Sequence, residues 1–164
     1  MPRLAYVLMG FCLLAAIGCT GEAPKIGVVD VVKVINGSVE GQKANAEVNT
    51  LIKTRQAALK KKAETVEKLK KGLGKEPSKV KRDEYNRAAG QYQKLVAAAD
   101  EEVKKKAGNL RKVVLEHIKK ALDTVGKEEK FTIILTTENV GYFQKSIDIT
   151  GKVIKKYNEM QGNK

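Results

Sequence analysis

Side chains able to do chemistry are few in this 164-residue chain, and they are scattered. It holds one histidine, His117, and two cysteines, both before residue 20. A Cys/His nucleophile pair, a His/Cys zinc cluster and a disulfide framework all require more of these residues or a closer grouping. Asp100, Glu101 and Glu102 are consecutive carboxylates, and paired carboxylates can divide acid and base roles. Consecutive helix residues point in different directions, so these three read as solvated partners for Lys104, Lys105 and Lys106. Gly37-Ser38-Val39-Glu40-Gly41-Gln42-Lys43 has the outline of a phosphate-binding loop, but the spacing is wrong and Gln42 separates Gly41 from Lys43. It reads instead as a loop leading into a helix. His117, beside Ile118 on the border of an apolar stripe, reads as a packed or half-exposed helix residue rather than a ligand. No catalytic, cofactor or metal constellation emerges, and an enzyme is the least expected class.

The N-terminus speaks of location. Arg3 precedes an apolar run from Leu4 to Ile17. The run is too short to span a bilayer core of about 30 Å comfortably, and small residues follow it. Residues 1–18 are therefore expected to be a secretory signal. Ala16-Ile17-Gly18-Cys19 matches a bacterial lipobox except that Ala stands where Leu is usual, so Cys19 is the expected site of lipid attachment. Cleavage after Ala23, giving a soluble protein, is the alternative; Pro24 just beyond that cut disfavours it. Either route takes the mature chain out of the cytoplasm and into a compartment in which ATP, and so an ATP-driven activity, is not expected.

Charge divides the mature chain. Residues 41–120 hold 22 basic and 10 acidic residues, a net of +12, whereas residues 19–40 and 121–164 together are neutral. The basic part reads as two long helices. From about Gly41 to Leu73 there is no proline, and Val48, Ile52, Leu59, Val66, Leu69 and Leu73 fall on one heptad stripe, with Arg55 and Lys62 in its remaining positions. Residues 72–78 carry two Gly, one Pro and one Ser, a strong breaker signal, with Ser78 placed to cap the next helix. Steps of 3, 4 and 4 from Tyr85 through Ala88, Tyr92 and Val96 to Val125 meet only apolar or aromatic residues. An 11-residue repeat favours a nearly straight or slightly right-handed supercoil. Residues 79–126 would make a helix of roughly 70 Å at 1.5 Å per residue. Each helix has only one narrow apolar stripe, which favours an antiparallel hairpin arm, tip near 72–78, over a compact bundle.

The flanks read as a small α+β body. Lys25-Ile26-Gly27-Val28-Val29-Asp30 is a short strand, and Phe131-Thr132-Ile133-Ile134-Leu135-Thr136 is a stronger one. Glu138-Asn139 is a turn, after which Val140-Gly141-Tyr142-Phe143 is expected to return as a third strand. Asp148 then caps a last helix bearing Val153, Ile154, Tyr157 and Met160 along one side. Residues 19–40 and 121–164 thus form the body and 41–120 the arm, inserted between the first and second strands. A body of about 65 residues is marginal alone, and its short sheet leaves open edges. An oligomer relieves both problems.

These parts, in this order, resemble the Skp/OmpH family of periplasmic chaperones. The resemblance rests on Lys25 to Asp30, on Phe131 to Thr136, on Val140-Gly141-Tyr142-Phe143, and on Ile147-Asp148-Ile149-Thr150 leading into Val153-Ile154-Lys155-Lys156-Tyr157. It spans residues 25–160. The resemblance implies a jellyfish-like homotrimer in which three bodies share a β-rich hub. Three coiled-coil arms then enclose a cavity that holds unfolded outer-membrane proteins without ATP. Cys19 departs from the soluble, periplasmic habit of the family and would tether this chain to the outer membrane.

Physical expectations fit that picture. Ala63, Ala88, Ala89, Ala97, Ala98, Ala99 and Ala107 would touch clients loosely and with little sequence preference, and Tyr85, Tyr92, Lys104, Lys105 and Lys106 are candidate client contacts. A net +12 arm would attract acidic clients and anionic membrane surfaces. Two other classes compete. A basic hairpin binds nucleic acid non-specifically through phosphates, but export argues against that role in the cell. A lipid-anchored coiled-coil spacer in the envelope would not need an α+β hub.

Overall fold

A computed structural model describes residues 23–162. Strand β1 (Ile26–Val29) is followed by a short helix α1 (Val31–Gly37) and two long helices, α2 (Val39–Lys71) and α3 (Lys79–Glu128). Strand β2 (Ile133–Thr136), two single 3-10 turns (Thr137–Asn139 and Lys145–Ile147) and helix α4 (Thr150–Gly162) complete the chain. The strands pair in parallel, with Ile26 opposite Ile133 and Val29 opposite Thr136. Parallel neighbours require a long crossover, and here the crossover is the whole helical arm. The expected class, an α+β body with a protruding hairpin, is what the chain adopts.

Local chemistry sets the element ends. Ser78 Oγ accepts from the Lys81 amide at 3.4 Å at the start of α3, as expected. Asp148 Oδ1 accepts from the Thr150 amide at 2.9 Å at the start of α4. Helix α1 was not expected. Its Val-Val-Lys-Val-Ile run carries strand propensity, but Asp30 Oδ1 accepts from the Lys33 amide at 2.9 Å and caps a helix instead. The expected loop over residues 37–43 shrinks to one residue, Ser38, held extended at φ −91° and ψ 148°. Ser38 is fully buried, and its Oγ accepts from the Gly41 amide at 3.1 Å, so α2 begins at Val39 rather than Gly41. Gly41 has to be small: a Cβ there would stand 1.9 Å from the Ile35 carbonyl oxygen.

The expected third strand does not form. Val140 and Gln144 are extended, but the backbone bends at Gly141, and no strand among the described residues pairs with this segment. The outer edge of β1 is instead taken by Asp148, which bridges to Val28, and the Ile149 amide donates to the Val28 carbonyl at 2.9 Å.

The body core gathers Val29, Val34, Ile118, Ala121, Val125, Ile149, Val153 and Tyr157 from both strand and helices. Each fully buried large apolar side chain contributes roughly 1.5–3 kcal/mol. Gly41→Ala is expected to destabilise the protein by about 1–3 kcal/mol, because α1 must shift away from the new methyl group. A lowered urea midpoint in chemical unfolding is the readout, and an unchanged midpoint would contradict this close packing.

Candidate functional site

The arm is the candidate site, and its stripes are spent inside it. Val48, Ile52, Leu59, Val66 and Leu69 on α2 are half-buried, facing α3. Eleven of the twelve positions read from Tyr85 to Val125 are half-buried or buried, Val96 being the exception. The distal part of α3 packs on α2, whereas Val114, Ile118, Ala121 and Val125 enter the body core.

Charge decorates this seam. Arg55, on the apolar stripe, sends Nη2 to Glu102 Oε1 at 2.6 Å, while its Nε is shielded with no partner. The hydrogen bond that Arg55 donates to Glu102, reinforced by the negative charge there, raises the Arg55 pKa further. Lys62, the other charged stripe residue, stays exposed. Lys106 pairs with Glu47 across the hairpin at 2.8 Å, and Lys104 with Asp100 along α3 at 2.7 Å.

These positions sort the candidate contacts. Tyr85 and Tyr92 are half-buried in the seam and serve the hairpin. Lys104, Lys105 and Lys106 are all exposed, and Lys104 and Lys106 make ion pairs. Glu102 faces Arg55 rather than a lysine, which corrects its expected pairing. Of the alanines expected to meet clients, Ala97 and Ala98 are exposed; Ala99 is buried in the seam, and Ala63, Ala88, Ala89 and Ala107 are half-buried there. Cys19 and the signal lie outside the described residues. Three valines add exposed apolar surface along the arm: Val80, Val96 and Val113.

At the root of the arm three helices meet on one carboxylate. Glu40, in the first turn of α2, lies 2.9 Å from His117 Nδ1 on α3, and Tyr157 on α4 donates its hydroxyl to Glu40 Oε2 at 2.6 Å. The Val39 amide donates to Asn158 Oδ1 at 3.0 Å, tying α2 to α4 a second time. Tyr157 is fully buried. Burial, helped by the hydrogen bond and negative charge of Glu40, pushes its phenol well above the ordinary tyrosine range. Sequence reasoning placed His117 as a packed helix residue but missed this junction. Its members lie 77 and 117 residues apart from Glu40, and no local spacing links them.

The arm presents a long basic surface with dispersed exposed apolar side chains, and its root is tied by the Glu40 contacts. Among the described residues no cluster of three or more His, Cys, Asp or Glu side chains could hold a metal, and no helix is long and apolar enough to cross a membrane. Residues 25–157 match the family described as outer membrane protein (OmpH-like). An uncharacterized protein of Aquifex aeolicus (strain VF5) is 25% identical over 152 residues, 88% of this chain and 93% of that one. The crystal structure of a candidate outer membrane chaperone (OmpH-like) from Caulobacter crescentus CB15 superimposes with a TM-score of 0.63 at 18% identity. The match covers 84% of this chain and 85% of that one.

Tyr157→Phe keeps the ring and removes the bond to Glu40, so a loss of about 1–2 kcal/mol at neutral pH is expected. Because the folded phenol pKa is raised, its contribution is complete below pH 10.0, the ordinary value, and declines as pH rises beyond it. Urea unfolding at pH 7 to 11 should therefore show the two proteins converging at the alkaline end, and parallel curves would contradict this linkage.

Proposed function

The chain belongs to the OmpH-like outer membrane protein family, and on that premise we propose that it is an ATP-independent periplasmic holdase for unfolded outer-membrane proteins. The observation that carries this reading is the arm. Helices of 33 and 50 residues bury most of their apolar stripes, in the seam and in the body core, and leave a lysine-rich outer surface with small apolar spots. Such a surface suits a client that must be held but not folded on the spot. An unfolded barrel protein exposes alternating apolar side chains that would otherwise aggregate. Many weak contacts to Ala97, Ala98, Val96 and Val113 retain it without selecting a sequence. Client folding withdraws the apolar side chains and so ends the contact, with no need for ATP.

Charge adds attraction. The arm carries +12, and the field of exposed lysines extends over a screening length of about 10 Å at 0.1 M salt. It draws acidic clients and anionic membrane surfaces; nucleic acid is not a partner in the exported protein. The role is binding, with no reaction catalysed and no cofactor. We further propose that three copies share a hub through their bodies, so that their arms surround one client, and that a lipid on Cys19 holds the assembly at the outer membrane.

The test is aggregation of an unfolded outer-membrane barrel protein diluted from urea, followed by light scattering, with the mass of the mature protein measured alongside. Suppression at about one trimer per client without ATP is the expected result. Unchanged scattering with a folded trimer would overturn the holdase reading in favour of a tether that spans the envelope. Changing exposed arm lysines such as Lys60, Lys61 and Lys105 to Gln should weaken retention of acidic clients at low salt, and the difference should vanish at high salt. Equal retention at every salt concentration would remove charge from the mechanism.

A further inference from the structure

We propose that the end of the body farthest from the arm, around Lys25, Lys127 and Lys130, is the face by which the molecule rests on an anionic lipid surface; this deepens the membrane reading above and rests on the lipid proposed for Cys19. The backbone of one lysine carries the argument. Lys130 has φ 56°, the only positive φ of a non-glycine residue among the described residues. Helix α3 ends there in a Schellman turn: the Phe131 amide donates to the Gly126 carbonyl at 2.9 Å, and the Lys130 amide to the Lys127 carbonyl at 3.3 Å. Glycine is the usual residue at that position, because a Cβ makes left-handed backbone unfavourable. Packing gives no reason for a lysine, since its side chain is exposed. The helix end gives none either. Its partial negative charge is already met by Lys25, whose Nζ donates to the Glu129 carbonyl at 2.8 Å.

The surroundings are more basic than local pairing requires. Glu129 is shared by Lys25 at 3.2 Å and Lys152 at 2.6 Å, and Glu128 pairs with Lys156 at 2.7 Å. Lys127 and Lys130 are exposed and meet no acid among the described residues. This end therefore sets five lysines against two carboxylates, a net of +3, in a body whose total charge is zero.

Placement selects the partner. Helix α3 is 50 residues long, so this end lies about 75 Å from the start of the helix near the tip. Lys25 stands six residues after Cys19, and a chain of that length reaches at most about 20 Å. A lipid on Cys19 thus brings this end, and not the distal arm, to the bilayer. The arm carries more charge, but beyond a screening length of about 10 Å that charge does not act on the headgroups. An acyl anchor and a basic patch are two signals that together fix a protein at a membrane. The arm then points away from the surface that bears the anchor.

Lysine acetylation read by mass spectrometry tests the face, with the mature protein bound to vesicles of phosphatidylglycerol and phosphatidylcholine. Lys127 and Lys130 should lose reactivity relative to the free protein, whereas Lys61 and Lys75 on the distal arm keep theirs. Lys130→Gly removes a charge and relieves the backbone. It should raise the urea midpoint while weakening binding to these vesicles about fivefold. Protection of the distal arm with Lys127 and Lys130 still reactive would overturn the face. So would protection of Lys127 and Lys130 by an acidic unfolded client and not by vesicles. Flotation with vesicles of phosphatidylcholine alone reads the lipid separately. A protein that does not float there has no anchor, which retires the reading of Cys19 and leaves the acetylation pattern on the anionic vesicles to decide the face.

Discussion

One helix has to serve two interiors. Along α3 a single stripe turns first toward α2, from Tyr85 to Leu110, and then toward the body, from Val114 to Val125. The rest of the molecule depends on that continuity. A helix of 50 residues transmits its direction along its whole length, so the core that holds Ile118 and Val125 also aims the arm. An 11-residue repeat suits the task, because a nearly straight helix keeps the stripe on one side for many turns.

The root of the arm stiffens this arrangement with polar contacts where apolar ones would leave freedom to slide. Ser38 and Gly41 let α1 and α2 meet within one residue. Glu40 then binds side chains from α3 and α4 at once. A carboxylate in such a place is costly unless its acceptor sites are filled, and His117 and Tyr157 fill them. The body is neutral and tightly keyed, whereas the arm is basic, solvated and joined by one seam. That contrast suits the proposed function, in which one part stays fixed and the other meets unfolded clients.

Periodicity made most of the fold legible. The hairpin, its turn over residues 72–78 and its cap at Ser78 follow from local signals that act within a few residues. So do β1, β2 and the helix after Asp148. Helix α1 was hidden because five residues rich in β-branched side chains carry strand propensity, and a short helix survives there only through its Asp30 cap and the burial of Val34. The segment 140–143 was legible as strand-like by composition, but pairing is a property of two strands, and here the chain bends at Gly141 and goes on to bridge β1 at Asp148. The Glu40 junction was illegible for a related reason: side chains 77 and 117 residues away complete it. Tyr85 and Tyr92 face the seam, which residue type alone does not reveal, while Lys104 and Lys106 stay exposed with Asp100 and Glu47 beside them.

The parallel pairing of β1 with β2 also bears on the order of assembly. Ile26 and Ile133 are neighbours in the sheet but stand at opposite ends of a loop of more than 100 residues. Closing so long a flexible loop is entropically unfavourable, and contacts of that separation form slowly. A hairpin that forms from its own turn outward brings the two ends of the chain together before the sheet exists. The arm is thus the folding template of its own base. A chain emerging N-terminus first would hold β1 unpaired until α3 is complete.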